Sequence, residues 1–167
     1  IAFYVKNSTG EVNINAPIEL ANSNKATTIG IYSDGDAKVK FGASSSLKIG
    51  EKAVGLYSAD PTKFNNTFEI ETGKTLNVEL GKNSTFGLLN GNKNVTNSPL
   101  LSKYLNNNTT DKINITKFDE GASLFYATLK AKAILDEDYK VTNADAASTS
   151  VLVANDGANV EIASGKK

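Results

Sequence analysis

Three groups of acidic residues stand close enough in the sequence to work as paired carboxylates. They are Asp34 with Asp36, Asp119 with Glu120, and Asp136–Asp138. Two carboxylates at a defined separation can cleave a glycosidic bond, and carboxylate oxygens also bind calcium. However, the first pair has the composition of a turn, and no loop has the ligand spacing of an EF-hand. We therefore expect solvated corner residues, and we predict a protein that is not an enzyme and uses no cofactor and no metal.

The composition excludes several common chemistries. The 167 residues include no Cys, His, Met or Trp, so disulfide bonds, Cys or His zinc sites and Ser-His-Asp catalysis are excluded. The 18 basic residues, all of them Lys, balance 18 acidic residues, so no net charge points to nucleic acid as a partner. No apolar run approaches the roughly 20 residues of a membrane-spanning helix, so direct membrane insertion of this segment is not expected.

Four tyrosines are candidates for a binding surface, because each occurs in a copy of the same short phrase. If the copies stack, the tyrosines rise in one column, interrupted by Leu89 and Val153; they are Tyr4, Tyr32, Tyr57 and Tyr126. Sugars or partner side chains could stack on such rings. The rings could instead cover a corner of the fold and stack on one another, which is the interpretation that we favour.

A second candidate lies in an Asn-rich stretch, where residues 98–105 have the pattern of a short amphipathic helix. Ser98 is a suitable N-cap, Pro99 suits the first helical position, and apolar residues follow at helical spacing. The apolar side chains could dock on the flank of the fold, or they could present a hydrophobic patch to a partner. Leu101, Tyr104 and Leu105 are therefore the candidate partner-binding residues.

The elements that must position these residues come from an internal repeat of about 25 residues. The segment Thr28–Ser33 returns as Ala53–Ser58 and more loosely as Thr85–Asn90, with weaker copies at Ala2–Tyr4, Leu124–Tyr126 and Val151–Val153. Each unit contains three short runs in which apolar residues alternate, separated by Gly, Asn, Asp and Ser corners. One such unit cannot bury its apolar stripe alone, so the copies must stack.

These features predict an all-β fold, a right-handed parallel β-helix of about six coils of roughly 25 residues. Like residues should line the interior in ladders. The first is Phe3, Ile31, Leu56, Leu88, Phe125 and Leu152; the second is Ile14, Phe41, Ile70 and Ile162; the third is Leu20, Ile49, Leu80 and Phe118. The pattern breaks near residues 90–112 and 134–147, which we interpret as insertions, the first of them containing the short helix. We leave open whether residues 127–147 are strand or helix.

The repeat units resemble those of fusobacterial autotransporter passengers. The resemblance is carried by Gly30-Ile31-Tyr32-Ser33, Gly55-Leu56-Tyr57-Ser58, Lys38-Val39-Lys40-Phe41 and Leu47-Lys48-Ile49-Gly50, and it extends loosely over most of the chain. It implies that residues 1–167 are one β-helix segment of a longer passenger, located at the bacterial cell surface on the extracellular side of the outer membrane. It also implies adhesion to a protein or glycan receptor on host cells or other bacteria. Two alternatives stay open: a structural stalk without a binding site, and a polysaccharide lyase or hydrolase.

Overall fold

The computed structural model describes residues 1–6, 9–21, 28–34, 36–58, 60, 63, 67–91, 112–135, 152–162, 164 and 165. Within these residues the chain forms fifteen short strands. They are β1 (Phe3–Lys6), β2 (Glu11–Ile14), β3 (Pro17–Leu20), β4 (Thr28–Asp34), β5 (Lys38–Phe41), β6 (Ser46–Ile49), β7 (Ala53–Ser58), β8 (Phe68–Ile70), β9 (Thr75–Leu80), β10 (Thr85–Asn90), β11 (Lys112–Phe118), β12 (Ser123–Thr128), β13 (Lys132–Leu135), β14 (Leu152–Ala154) and β15 (Asn159–Ile162).

Strands from successive copies of the repeat pair in parallel and form the faces of a solenoid. The first face is a six-stranded sheet in the order β1-β4-β7-β10-β12-β14. The second face is β2-β5-β8, the third is β3-β6-β9-β11, and β13 pairs separately with β15. The predicted all-β parallel β-helix is thereby confirmed.

The number of turns differs from the prediction of about six coils. Among the described residues the chain crosses the first face six times, and three of its turns have a strand on every face: β1–β3, β4–β6 and β7–β9. Later turns lack a described strand on one face, because β10 is followed by β11 of the third face. No helix within the described part of the chain has the length and apolar character needed to cross a bilayer.

The third interior ladder is confirmed along its whole length. Leu20 pairs with Ile49, Ile49 with Leu80, and Leu80 with Phe118, and all four side chains are buried. Burying an aliphatic or aromatic side chain of this size stabilises the fold by roughly 1.5–3 kcal/mol. Each turn that this ladder crosses therefore gains stability from one buried side chain.

The second ladder is confirmed only for its first three members. Ile14, Phe41 and Ile70 are in register. Ile162 was predicted to continue this ladder, which is wrong, because Ile162 pairs with Leu135 in the separate two-stranded sheet. Its side chain is 50% exposed, so it lies at an open end of the solenoid and not in the closed interior.

The first ladder contains one error, at Leu88. Leu56 is in register with Gly87, and Gly87 is in register with Phe125, so Leu88 belongs to the outer column beside Tyr57. The apolar side chain that fills this level of the interior is Phe86, which is fully buried and packs edge-on against Phe125 with ring centroids 5.8 Å apart. Large and small residues have exchanged places: Gly55-Leu56 in one turn becomes Phe86-Gly87 in the next.

A regular corner precedes the first face in three successive turns. Lys52, Asn83 and Gly121 each have a positive φ there, 57°, 55° and 71°. The backbone N–H of Lys52 donates to Lys82, and the N–H of Asn83 donates to Glu120. At Gly121 a Cβ would lie 2.2 Å from the Asn83 Oδ1, so glycine leaves the space that the Asn83 amide occupies.

The two predicted insertions fall largely outside the described residues. Strand β10 ends at Asn90 and β11 begins at Lys112, which agrees with an interruption of the repeat near residues 90–112. The second insertion was predicted near residues 134–147, of which the structure describes residues 134 and 135, the last two residues of β13. Leu101, Tyr104, Leu105 and Asp136–Asp138 lie outside the described residues, so their roles stay predictions.

Candidate binding surface

The outer side of the third face is a row of alternating charges. Glu19, Lys48, Glu79 and Lys117 occupy successive register positions from β3 to β11. The Lys48 Nζ donates to the Glu19 Oε1 at 2.7 Å, and this hydrogen bond raises the pKa of Lys48. A groove of about 420 Å³ runs over this face. Lys48 pairs with Glu19 and Lys117 pairs with Asp119, and the signs alternate along the row, so the third face has little unbalanced charge to offer a ligand.

The acidic pairs singled out in the sequence have lysine or tyrosine partners. Asp34 accepts a hydrogen bond from the Tyr4 hydroxyl at 2.9 Å, and Asp36 accepts one from Lys63. On the other side, Asp119 accepts from Lys117 at 2.6 Å.

Glu120 forms an ion pair with Lys82, with 2.8 Å between the Nζ and Oε2 atoms. The hydrogen bonds to Asp36 and Glu120 raise the pKa values of Lys63 and Lys82. Within the described ranges, no group of three or more acidic side chains is arranged to hold a metal ion.

The first face carries an aromatic column on its outer side. Tyr4, Tyr32 and Tyr57 are in register, and their ring centroids are 5.0 Å and 4.9 Å apart from one level to the next. The interpretation that these tyrosines stack on one another is therefore confirmed. The column continues through Leu88, Tyr126 and Val153. The interruption predicted at Leu89 lies one residue earlier, at Leu88, because Leu89 is buried in the interior.

Polar groups hold the tyrosine hydroxyls along the edge of this column. The Asn90 Nδ2 donates to the Tyr57 hydroxyl at 3.2 Å, and the Asn155 Nδ2 donates to the Tyr126 hydroxyl at 3.0 Å. The hydrogen bond to Asp34 raises the pKa of Tyr4, and burial raises the pKa of Tyr32. Both phenols therefore stay neutral at physiological pH, and the column presents uncharged rings with polar rims.

A groove of about 550 Å³ runs beside the second half of the column. One wall is formed by Leu88, Tyr126 and Val153 of the column, and the opposite wall by the corner residues Lys52, Asn83 and Gly121. The floor consists of outward positions of the first face, namely Val54, Thr85 and Ser123. The hydroxyls of Thr85 and Ser123 lie 2.8 Å apart and share a hydrogen bond.

This groove was missed in the sequence because Thr85–Asn90 was aligned one residue out of register. In the structure Val54, Thr85 and Ser123 are successive partners in the first sheet. With that register, the sequence has valine at this outward position in one turn and a hydroxyl residue, Thr85 and then Ser123, in the next two turns. The substitution is the signal that could have located the groove.

Comparison of the chain with protein-family models, with curated proteins and with solved structures finds no match. The two outer faces differ in the surface that they offer to a partner. One is a row of charges that alternate in sign, whereas the other is a neutral aromatic column with an adjoining groove.

Proposed function

We propose that this chain is a segment of a bacterial cell-surface adhesin passenger of the autotransporter type that its repeats resemble. It binds a protein or glycan receptor on host cells or on other bacteria, without catalysis, on the extracellular side of the outer membrane. The segment contributes a contact surface, and the solenoid holds that surface rigid.

The observation that supports binding is the outer column of the first face. Aromatic rings provide a large contact area at low entropic cost, and tyrosine is enriched in the centres of recognition surfaces. In this chain the ring centroids of Tyr4 and Tyr32 are 5.0 Å apart, and those of Tyr32 and Tyr57 are 4.9 Å apart. Parallel pairing fixes their spacing, so a receptor meets a preorganised surface.

A structural stalk is the second candidate function, and a different observation favours it. The side chains of neighbouring turns contact each other on the outer faces: Tyr4 with Tyr32, Lys48 with Glu19, and Asn114 with Asn77 at 2.9 Å. Such contacts stabilise a solenoid whether or not a receptor is present. The two proposals therefore differ in one expectation: an adhesin binds cells through the tyrosine column, whereas a stalk does not.

The experiment compares attachment of the purified chain, coupled to fluorescent beads, to epithelial cells and to other bacteria. The test variant is Tyr32→Ala, Tyr57→Ala and Tyr126→Ala combined. The matched control is Glu19→Ala, Lys48→Ala and Glu79→Ala, which alters three residues of the third face. Circular dichroism checks that both variants keep the β-solenoid.

The adhesin proposal expects attachment of the wild-type beads, about tenfold loss with the tyrosine variant and at most twofold change with the control. Absence of wild-type attachment, or equal attachment by both variants, would favour the stalk.

A further inference from the structure

We propose that the groove beside Leu88 and Tyr126 binds a neutral oligosaccharide. This inference rests on the proposed function and assigns a ligand class to one part of the same surface. The shape, backbone pairing, side chains and charge of the groove each favour such a ligand.

The shape of the groove suits a chain molecule that lies along the solenoid axis. Its residues come from strands β7, β10, β12 and β14 of the first sheet. Neighbouring strands are about 4.8 Å apart, so three intervals give a length of about 14 Å. A site of this length, with a volume of about 550 Å³, takes more than one ring of a linear ligand.

Strands β10 and β12, which carry the hydroxyls of the groove floor, each pair with a strand on both sides, which disfavours an extended peptide. Strand β10 lies between β7 and β12, and β12 lies between β10 and β14, all in parallel register. An extended peptide gains much of its affinity by adding to an unpaired strand edge. The ligand in this groove must instead be recognised by side chains alone.

The side chains are of the kinds that recognise sugars. Tyr126, Leu88 and Val153 provide an apolar wall on which the C–H surface of a sugar ring can pack. Opposite this wall, the Asn83 amide provides donors and an acceptor. The groove therefore combines an apolar side with a hydrogen-bonding side.

The floor adds a pair of hydroxyl groups in an otherwise buried layer. Ser123 is 2% exposed and Thr85 is 8% exposed, whereas the preceding turn has Val54 at this position. When one hydroxyl donates to the other, one proton and several lone pairs of the pair are left for a ligand. Hydroxyls of a sugar are complementary to both.

The charge of the groove favours a neutral ligand. Among the described residues that line it, the charged side chain is Lys52. The Lys52 ammonium lies 3.2 Å from the Glu51 carboxylate, which balances its charge. The groove therefore has no net positive charge to attract an acidic sugar and no net negative charge to attract a cationic ligand.

The test is a calorimetric titration of the full chain with maltotriose, cellotriose and chitotriose, with trigalacturonate as the acidic counterpart. Two variants alter the groove: Tyr126→Ala removes the aromatic wall, and Thr85→Val with Ser123→Ala removes the floor hydroxyls at nearly constant shape. The matched control, Thr116→Val with Ser46→Ala, removes the same two hydroxyl types from the third face. A random hexapeptide mixture provides the peptide arm.

The expected result is binding of at least one neutral trisaccharide more tightly than trigalacturonate. The dissociation constant should rise about tenfold in each groove variant and less than twofold in the control. The proposal is overturned if no neutral trisaccharide binds, if trigalacturonate or the peptides bind better, or if the groove variants bind like the control. If Tyr126→Ala does not fold, the variant Thr85→Val with Ser123→Ala tests the proposal by itself.

Bead attachment to cells separates this proposal from the adhesin proposal. If cells retain the wild-type beads and no trisaccharide binds, the ligand assignment fails and the adhesin proposal stands. If a trisaccharide binds in the groove and cells do not retain the beads, the groove is a sugar site and the adhesin proposal fails.

Discussion

At the scale of single residues, the Tyr4 hydroxyl and the Asp34 carboxylate join two neighbouring turns by a 2.9 Å hydrogen bond. The bond needs the phenol proton, and the negative charge of Asp34 opposes formation of a tyrosinate at Tyr4. The charge of Asp34 also raises the pKa of Tyr32, after burial and the neighbouring Tyr57. Asp34 thus raises the pKa values of both tyrosines at this end of the column.

We predict that Asp34→Asn lowers the pKa of Tyr4 toward its ordinary value and, to a smaller extent, that of Tyr32. The pKa of Tyr4 is raised in the fold, so its contribution to stability is complete below about pH 10, the ordinary tyrosine value. The contribution is lost as the pH rises through the folded pKa. Asp34→Asn should therefore make folding stability less sensitive to alkaline pH. Titration of tyrosinate absorbance measures the shift, and Tyr4→Phe assigns the curve to Tyr4.

The control for this titration is Asp156→Asn, because Asp156 accepts a hydrogen bond from Thr128 instead of a tyrosine. Asparagine also tolerates the positive φ of 51° at this position. An unchanged titration in Asp34→Asn, or an equal shift in Asp156→Asn, would contradict the prediction.

The residue scale is also where reasoning from the sequence made its clearest error. Apolar alternation predicted the ladder from Leu20 to Phe118 because each strand there presents one inward residue per pair. In the first face, by contrast, two adjacent positions are buried, namely those of Gly55-Leu56 in one turn and Phe86-Gly87 in the next. The large side chain can therefore occupy either position. Aligning Gly87 with Gly55 then slips the register by one residue. A slip of one residue exchanges the two sides of a strand, which is why Leu88 was assigned to the interior.

At the scale of elements, the corners between strands decide how closely turns can follow one another. The corner after β12 places Leu129 and Lys130 at φ values of 50° and 64°. One turn later the corresponding corner after β14 is Asp156-Gly157, with φ values of 51° and 75°. The backbone N–H of Lys130 donates to Asp156, so the two corners stack directly. Asp-Gly is a preferred pair for two successive positive φ angles, whereas Leu-Lys is not.

We predict that copying the later corner into the earlier one, Leu129→Asp with Lys130→Gly, stabilises the fold by about 1 kcal/mol. A left-handed conformation costs a residue such as Leu or Lys about 1–2 kcal/mol, and glycine returns part of that gain through its larger unfolded-state entropy. Little packing is lost because Leu129 is 49% exposed. Urea unfolding, followed by circular dichroism, measures the change.

The control for the corner is Lys74→Gly, beside Gly73 in another corner. Lys74 does not have a positive φ, so glycine there should destabilise the fold. If Lys74→Gly and the double variant changed the free energy of unfolding equally, the backbone conformation at residues 129 and 130 would not be the cause of the stabilisation. The repeat predicted that corners would occur, but it could not predict their φ angles, because Leu and Lys are not typical of left-handed positions.

At the scale of the whole molecule, the first and last described turns of residues 1–167 expose apolar side chains. Phe3 and Val12 stand in interior register positions of the first turn, yet they are 47% and 37% exposed. At the opposite end Ile162 is 50% exposed. Within the described residues β2 pairs only with β5, and β15 pairs only with β13. Each end therefore presents apolar side chains beside an unpaired strand edge, the arrangement that promotes addition of another strand.

The edge strand β2 of the second face and the edge strand β15 of the two-stranded sheet are complementary in sequence. Strand β15 reads Asn-Val-Glu-Ile and β2 reads Glu-Val-Asn-Ile. If β2 of a second copy added to β15 in the register that β15 keeps with β13, valine would face valine and isoleucine would face isoleucine. Each glutamate would face an asparagine, so amide donors would meet carboxylate acceptors. Beside them, Leu152 and Val153 would face Phe3 and Tyr4 of the second copy.

We predict that the purified chain associates head to tail in a concentration-dependent way, and that Val12→Lys or Ile162→Lys reduces the association constant about tenfold or more. A charge at an open edge is strongly disfavoured when the edge is covered, which is how natural edge strands avoid pairing. Sedimentation velocity over a concentration series measures the association. The matched control is Leu129→Lys, which adds the same charge at an exposed apolar residue on a corner, outside the edge strands β2 and β15. Because a head-to-tail contact does not close on itself, the wild-type species should extend beyond a dimer as concentration rises. A strictly monomeric wild type, or equal weakening by Leu129→Lys, would contradict the edge pairing and leave the ends of the solenoid inert.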